Sequence, residues 1–271
     1  MKNILLIFFC TACISCKKYL EVGQPRTQLS SASVFSSDAT ATAAQLAIYS
    51  QMETQGLFFQ LPAYTGLAGD EFRNHSTFSD YVDLATNNLT AGNQLINTIW
   101  TNLYRYIYQC NAVLEGIGRS TALTPVIKEQ LEGESRFIRA FCYYYLVNLY
   151  GPVPSVSSTD YTINSILARS PVSEIYAFII NDLVTAKALL PTGYKSGTNS
   201  SSSERVRPNK WSAAALLARV YLHLGRWPEA EVESAGVIGS PVYGLSTDLN
   251  NSFLKGSPEA IFQLMAVVPR F

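Results

Sequence analysis

The sequence predicts a mainly α fold, helix pairs stacked on one another with little β structure, and three observations carry that expectation. Apolar residues recur at helical spacing over several long stretches. Prolines and short polar residues stand where those stretches begin and end. Strand signals are scarce, and only the run AIFQLMAVV from Ala260 reads as an extended apolar segment. With 271 residues, 48% of them apolar and 15% charged, the chain buries a sizeable core and is excluded from global disorder.

The N-terminus has its own pattern. Lys2 precedes an apolar run over residues 4–14, followed by Ser15 and Cys16. Residues 1–15 read as a secretory signal, too short to span a bilayer. Ser15 before Cys16 looks like a bacterial lipobox, which makes Cys16 the acylated first residue of the mature chain. Such an anchor tethers a soluble domain to a membrane rather than threading it through one. Residues 16–36 form an extended polar lead that carries Pro25. Formal net charge is zero, which gives no electrostatic reason to expect nucleic acid or an anionic membrane surface as partner.

A first helix is expected over residues 37–52, with Ala41, Ala44, Leu46, Ile48 and Tyr49 on its apolar side. Residues 53–92 show no sustained period and are rich in Gly, Asp, Asn and Thr. So long an irregular stretch in a compact chain is often functional. Over residues 93–118 the helical period returns with two stripes. Ile99, Leu103, Ile107, Cys110, Leu114 and Ile117 form one, and Trp100, Tyr104 and Tyr108 the other. A helix with two apolar stripes lies between neighbours. Thr124 as cap and Pro125 in the first turn open a long helix that ends near Gly151 and Pro152. Along it Phe137, Phe141, Tyr145 and Leu149 align at four-residue spacing, while Glu132 and Arg136 pair on another face. Ser170 and Pro171 open the next helix and Pro191 stops it. Residues 193–208 form a polar Ser-rich loop. Residues 211–238 then read as two helices broken at Gly225, with Pro228 in the first turn of the second. Cys110 and Cys142, each inside an apolar helical stretch, read as buried free thiols rather than a disulfide.

The last hairpin resembles a tetratricopeptide unit. Leu217, Ala218, Tyr221, Gly225 and Ala230 fall at that repeat's large, small, aromatic, turn and small positions. Several segments together resemble something narrower, the SusD/RagB family of outer-membrane nutrient-binding lipoproteins. They are CKKYLEV after the signal, ESRFIRAFCYYYLVNLYGPVP, RSPVSEIYAFIINDLVTAKALLP, KWSAAALLARVYLHLGRWPEA and EAIFQL. The resemblance implies a domain over residues 37–271 built as an α-superhelix of tetratricopeptide-like pairs. It implies a lipid anchor at the outer membrane, exposure at the cell surface, and a SusC-like TonB-dependent transporter as partner. It also implies an oligosaccharide or polysaccharide ligand, captured and delivered to that transporter. The aromatics of the long helix are then scaffold, filling grooves between neighbouring helices. Family members are far longer, so the chain reads as the N-terminal part of such a protein.

The common catalytic signatures are missing. The sequence holds no Gly-x-Ser-x-Gly elbow, His-Glu-x-x-His pair, phosphate loop or dinucleotide fingerprint. Its only histidines are His75 and His223, and no metal-ligand spacing is present. The carboxylate pairs Asp70 with Glu71 and Glu132 with Glu134 read as solvated or ion-paired rather than as a glycosidase couple. A non-enzymatic protein without cofactor is therefore expected. The alternative is a tetratricopeptide-like scaffold lipoprotein with only protein partners. Glycan contacts are expected within residues 69–88. There Phe78 and Tyr81 offer aromatic faces to a sugar ring, and Arg73, Asn74 and Asp83 offer hydrogen bonds to its hydroxyls.

Overall fold

The computed structural model describes residues 31–265. Cys16, most of the lead 16–36 and the end of the AIFQLMAVV run lie outside the described residues. Helices dominate: α1 (Asp38–Thr54), α2 (Leu57–Ala68), α3 (Ser79–Ala85), α4 (Gln94–Arg119), α5 (Pro125–Tyr150), α6 (Val172–Leu189), α7 (Lys210–His223) and α8 (Trp227–Ile238). They pack in sequence order, α4 on α5, α5 on α6, α6 on α7 and α7 on α8, with α1 against α4 and α5. This is the stacked arrangement that the two-striped periods predict. A single helical turn precedes α1 at Ser31–Val34, and Phe35 behind it is buried over Gly116, so core packing reaches back into the lead.

Local signals set most helix ends. The Ser37 hydroxyl accepts from the Thr40 amide at the start of α1, and the Asn93 side chain accepts from the amides of Leu95 and Ile96 at the start of α4. Asn209 and Ser212 form a reciprocal capping box on α7. Gly225, at φ +69°, makes the left-handed turn between α7 and α8 that a side chain would strain. In that hairpin Leu217 and Ala230 are buried, Tyr221 lies under the Arg226 guanidinium, and the tetratricopeptide-like reading holds.

Four local expectations are corrected. Residues 53–92 contain α2 and α3. Pro62 sits inside α2 and Gly66 near its end, so the stretch reads as broken although Leu57, Leu61, Tyr64 and Leu67 are buried along one side. Thr124 does not cap α5 with its side chain. Its amide and hydroxyl both donate to the Asp38 carboxylate, tying the start of α5 to the start of α1. The Ser-rich loop holds a short antiparallel pair, β1 (Tyr194–Lys195) and β2 (Ser201–Ser202), with Tyr194 opposite Ser202. Residues 260–265 join no sheet. Phe262 instead sets its ring edge-on to Tyr49 and Phe137, at 6.1 and 5.6 Å, and the Gln263 amide donates to Arg205 O. The alternating pattern records partial burial there, and no strand lies beside it among the described residues.

The core contains two buried ion clusters on α5. Asp182 of α6, with no exposed side-chain surface, accepts from Arg139 Nε at 2.7 Å, Arg139 Nη2 at 2.8 Å and Arg136 Nη1 at 2.9 Å. Arg136 also pairs with Glu132 at 2.8 Å, as the i,i+4 spacing predicts. Arg139 further donates to Asn111 of α4, so three helices meet at one guanidinium. The second cluster centres on Glu134. It accepts from the Tyr49 hydroxyl at 2.6 Å, from Gln130 and from Arg207 Nε at 2.9 Å. Arg207 Nη2 lies 2.7 Å from the same carboxylate, an ion-pair contact not aligned as a hydrogen bond. Burial, and the Glu134 charge beside it, push the Tyr49 phenol well above its ordinary value, so it stays a donor. Cys110 and Cys142 are free and buried; burial is the main cause that raises the Cys110 thiol to about 12 and pushes the Cys142 thiol well above its ordinary value, which leaves both as small inert hydrophobes.

Removing one partner of such a cluster strands the other charge in the core. Asp182→Ala is expected to lower stability by about 3–5 kcal/mol, measured by urea unfolding. An unchanged unfolding midpoint would contradict the role given to this carboxylate.

Candidate functional site

Two surfaces can accept a ligand, and they differ in chemistry. The first is the segment between α2 and α4. Asp70 takes a left-handed conformation, φ +60°, just after α2, and the amides of Glu71 and Phe72 both donate back to Gly66 O. That tight exit folds the Phe72 ring over Gly66, where a methyl group would lie 2.5 Å from it. The chain then runs irregularly to Phe78, which occupies the N-cap position of α3 with its ring 75% exposed.

The five residues expected to contact glycan do not behave alike. Arg73 is exposed and forms no hydrogen bond or ion pair among the described residues. Phe78 projects outward, and Phe72, next to Arg73 in sequence, is half-exposed. Tyr81 is half-buried, its ring 6.0 Å from Tyr64, whose phenol is pushed up to about 12 by burial and by the neighbouring Tyr81. Asn74 is committed to a local turn, accepting from the Ser76 amide at 2.8 Å and donating to Ser76 O. Asp83 accepts from Asn93 at 3.2 Å and so pins α3 to the start of α4. Arg73, Phe78 and one face of Tyr81 are thus open to a ligand, while Asn74 and Asp83 serve the loop first. The two weighed carboxylate pairs differ in the same respect. Glu134 is sealed in its ion cluster, Glu132 is held by Arg136, and Asp70 with Glu71 lies exposed at the turn.

The second surface is a cavity of about 620 Å³ between α1, α2, α5, α7 and residues 259–264. Phe58, Phe137, Phe141, Tyr145, Leu216 and Phe262 are in its wall, with Arg219 and Glu259. This corrects the expectation that the α5 aromatics all fill grooves between helices. Phe137 does, with 3% of its surface exposed. Phe141 and Tyr145 are only partly buried; the Phe141 ring stacks on Phe137 at 6.3 Å, meets Tyr145 edge-on at 5.0 Å and lies 5.3 Å from Phe58. The four-residue aromatic row was visible in the sequence, but the opposite wall comes from α2, read there as irregular. None of the five expected glycan contacts lines this cavity. Among the described residues no helix is long and apolar enough to cross a membrane.

Comparison with known proteins places this geometry. Residues 18–222 match the SusD-like family model described as starch-binding, associating with the outer membrane. The SusD-like protein P25 of Formosa agariphila is 25% identical over 238 residues, covering 84% of this chain and 44% of that protein. A SusD-like protein of Bacteroides fragilis has a solved structure that is 25% identical, with a TM-score of 0.67 over 85% of this chain and 45% of that one. The structure of a SusD homolog of Bacteroides thetaiotaomicron, 20% identical, shares the fold at a TM-score of 0.73 over 88% of this chain and 48% of its own. The chain spans less than half the length of each of these relatives.

The cavity makes neighbouring aromatics unequal. Phe137→Ala is expected to cost about 3–5 kcal/mol in urea unfolding, the range for a fully buried large side chain. Phe141→Ala, at a side chain already partly exposed, is expected to cost less. Equal losses at the two positions would mean that the cavity is closed in solution.

Proposed function

The chain belongs to the SusD-like family, and from that membership we propose that it is a glycan-binding lipoprotein of the outer membrane, displayed at the cell surface, without catalytic activity. The observation that carries this reading is the family match across residues 18–222, whose description joins starch binding to outer-membrane association. In this reading residues 1–15 are removed as a signal and Cys16 is the lipidated first residue. Residues 16–36 are the tether and residues 37–271 belong to the helical domain. A SusC-like TonB-dependent transporter receives the captured oligosaccharide. The glycan contact is the segment between α2 and α4, with Arg73, Phe78 and Tyr81 in direct contact and Asn74 and Asp83 at its margin.

Physical chemistry supports that placement over the cavity. A sugar ring needs a flat aromatic face for its apolar side and fixed planar donors for its hydroxyls. Phe78 and Tyr81 supply the first and the unpaired Arg73 guanidinium the second. The segment is carried between packed helices, which hold a loop in place at little ordering cost on binding.

Phe78→Ala and Arg73→Ala in the full-length protein are each expected to weaken oligosaccharide binding by roughly 0.5–1.5 kcal/mol, up to about tenfold in Kd by calorimetry. Wild-type affinity in both, with folding intact by circular dichroism, would move the site elsewhere. For the anchor, feeding cells a palmitate analogue is expected to label the wild type and not Cys16→Ser. Equal labelling of the two would remove the lipid tether from the proposal.

A further inference from the structure

We propose that the tip of the segment between α5 and α6, carrying Tyr161, Ile163 and Ile166, rests on the lipid surface to which the chain is tethered. The inference rests on the anchor reading of Cys16 and sets which end of the domain faces the membrane. Residues 153–170 leave the helices and return to them at one place. The Ser170 amide donates to Val153 O at 2.9 Å, and Arg169 donates to Pro152 O with its guanidinium 5.2 Å over the Trp100 ring. Between these points the outgoing limb follows α4 towards its C-terminus. Tyr104 donates to Pro154 O and Asn111 to Val156 O. One turn further on, the Glu115 carboxylate accepts from the amide and the hydroxyl of Thr159, both at 2.8 Å. The excursion therefore turns back at the C-terminal end of α4, with a single helical turn, Tyr161–Asn164, at its tip.

Two properties suit this tip to a lipid interface. Its large apolar groups are outside, with 78% of Tyr161, 53% of Ile163 and 83% of Ile166 exposed. Its amides are bonded inward: those of Asn164, Ser165, Ile166 and Leu167 donate to carbonyls of residues 160–164, and that of Thr162 to the Asp160 carboxylate. A tip that enters a weakly polar phase must meet that condition. Tyr161 adds an apolar ring with a polar hydroxyl, a mixture favoured where headgroups meet hydrocarbon. Position completes the argument, because the lead from Cys16 enters at this same end. Phe35 packs over Gly116, next to Glu115, and its carbonyl accepts from the Ser120 hydroxyl. Residues 17–34 reach up to about 60 Å when fully extended, so the lead tethers the domain without orienting it. A contact beside its point of entry supplies the orientation. Asp160 at the base of the tip and the mutually paired Glu115 and Arg119 bring no cationic excess, so the fit is to neutral headgroups and hydrocarbon rather than to anionic lipid.

Ile166→Cys in the full-length lipidated protein, labelled there with an environment-sensitive NBD dye and held in phosphatidylcholine vesicles, tests it. Cys110 and Cys142 are buried and stay unlabelled. Emission is expected to shift to the blue and to be quenched severalfold by doxyl lipids. The same dye at Leu224→Cys is expected to stay aqueous, since that turn lies at the opposite end of the array, where His223 meets Tyr144 and Tyr176. Adding Tyr161→Ser and Ile163→Ser is expected to abolish the quenching with circular dichroism unchanged. Vesicle flotation is read separately. A protein that floats but keeps position 166 in water, or is quenched equally at both positions, overturns the tip contact and leaves the anchor standing. One that does not float removes the anchor and the contact with it. Shielding of position 166 in native outer membranes but not in pure lipid would assign the tip to a protein partner and overturn the proposal as well.

Discussion

Helix α5 is buried along most of its length, and a helix in that position must satisfy every charge it carries. Glu134 and Arg139 are both inside the protein, on one helix, with partners that come from different directions. Glu134 draws in Tyr49 from α1 and Arg207 from the segment after β2. Arg139 draws in Asp182 from α6 and Asn111 from α4. A buried pair of this kind contributes little net stability compared with apolar residues of the same shape, because desolvation offsets the attraction. Its effect is on arrangement, since any slip of α1, α4 or α6 along α5 would leave an unpaired charge in the core.

Close approach depends on the same helix. Gly133 lies one residue before Glu134, and a methyl group there would come within 2.8 Å of Leu190 at the end of α6. The absent side chain lets the two helices meet, and that contact brings Asp182 within reach of Arg136 and Arg139. Arg207 is anchored in turn. Besides Glu134 it bonds Ser196 O and Asn199, while Asn199 donates to Thr42 of α1. A Ser-rich segment that looks solvent-bound in composition is thereby held against the core by one guanidinium.

A frame fixed in this way separates two kinds of aromatic surface. The rings of α5 meet one another and Phe58 beside the cavity, whose lining also includes Arg219 and Glu259. The segment that carries Arg73, Phe78 and Tyr81 is pinned at both ends, by Gly66 O on one side and by Asp83 with Asn93 on the other. Those three side chains suit hydroxyl-rich ligands. Helix α8 closes the described array with Trp227, Val232 and Ile238 outward, the exposed side of a stack in which each helix pair buries only its inner face against the one before.

The positions of the helices other than α2 and α3, the tetratricopeptide-like hairpin, the inert cysteines and the Glu132–Arg136 pair were legible from sequence, because each depends on residues within a turn or two of one another. Spacing reports which residues share a face, and Ser37, Pro125, Pro171 and Gly225 act on backbone beside them. The family resemblance was legible for the same reason, since it rests on ordered local motifs. What tertiary structure alone decided is where the polar groups go. Arg207 and Glu134 are 73 positions apart, and nothing in the composition around either marks it as buried. Asn74 and Asp83 are typical sugar ligands by residue type, yet Ser76 and Asn93 take up their hydrogen bonds. Helix α2 was hidden by Pro62, and with it the far wall of the cavity that leaves Phe141 and Tyr145 half-open. A local pattern records what a side chain is, but its burial and its free hydrogen-bonding capacity depend on which distant partner the fold brings to it.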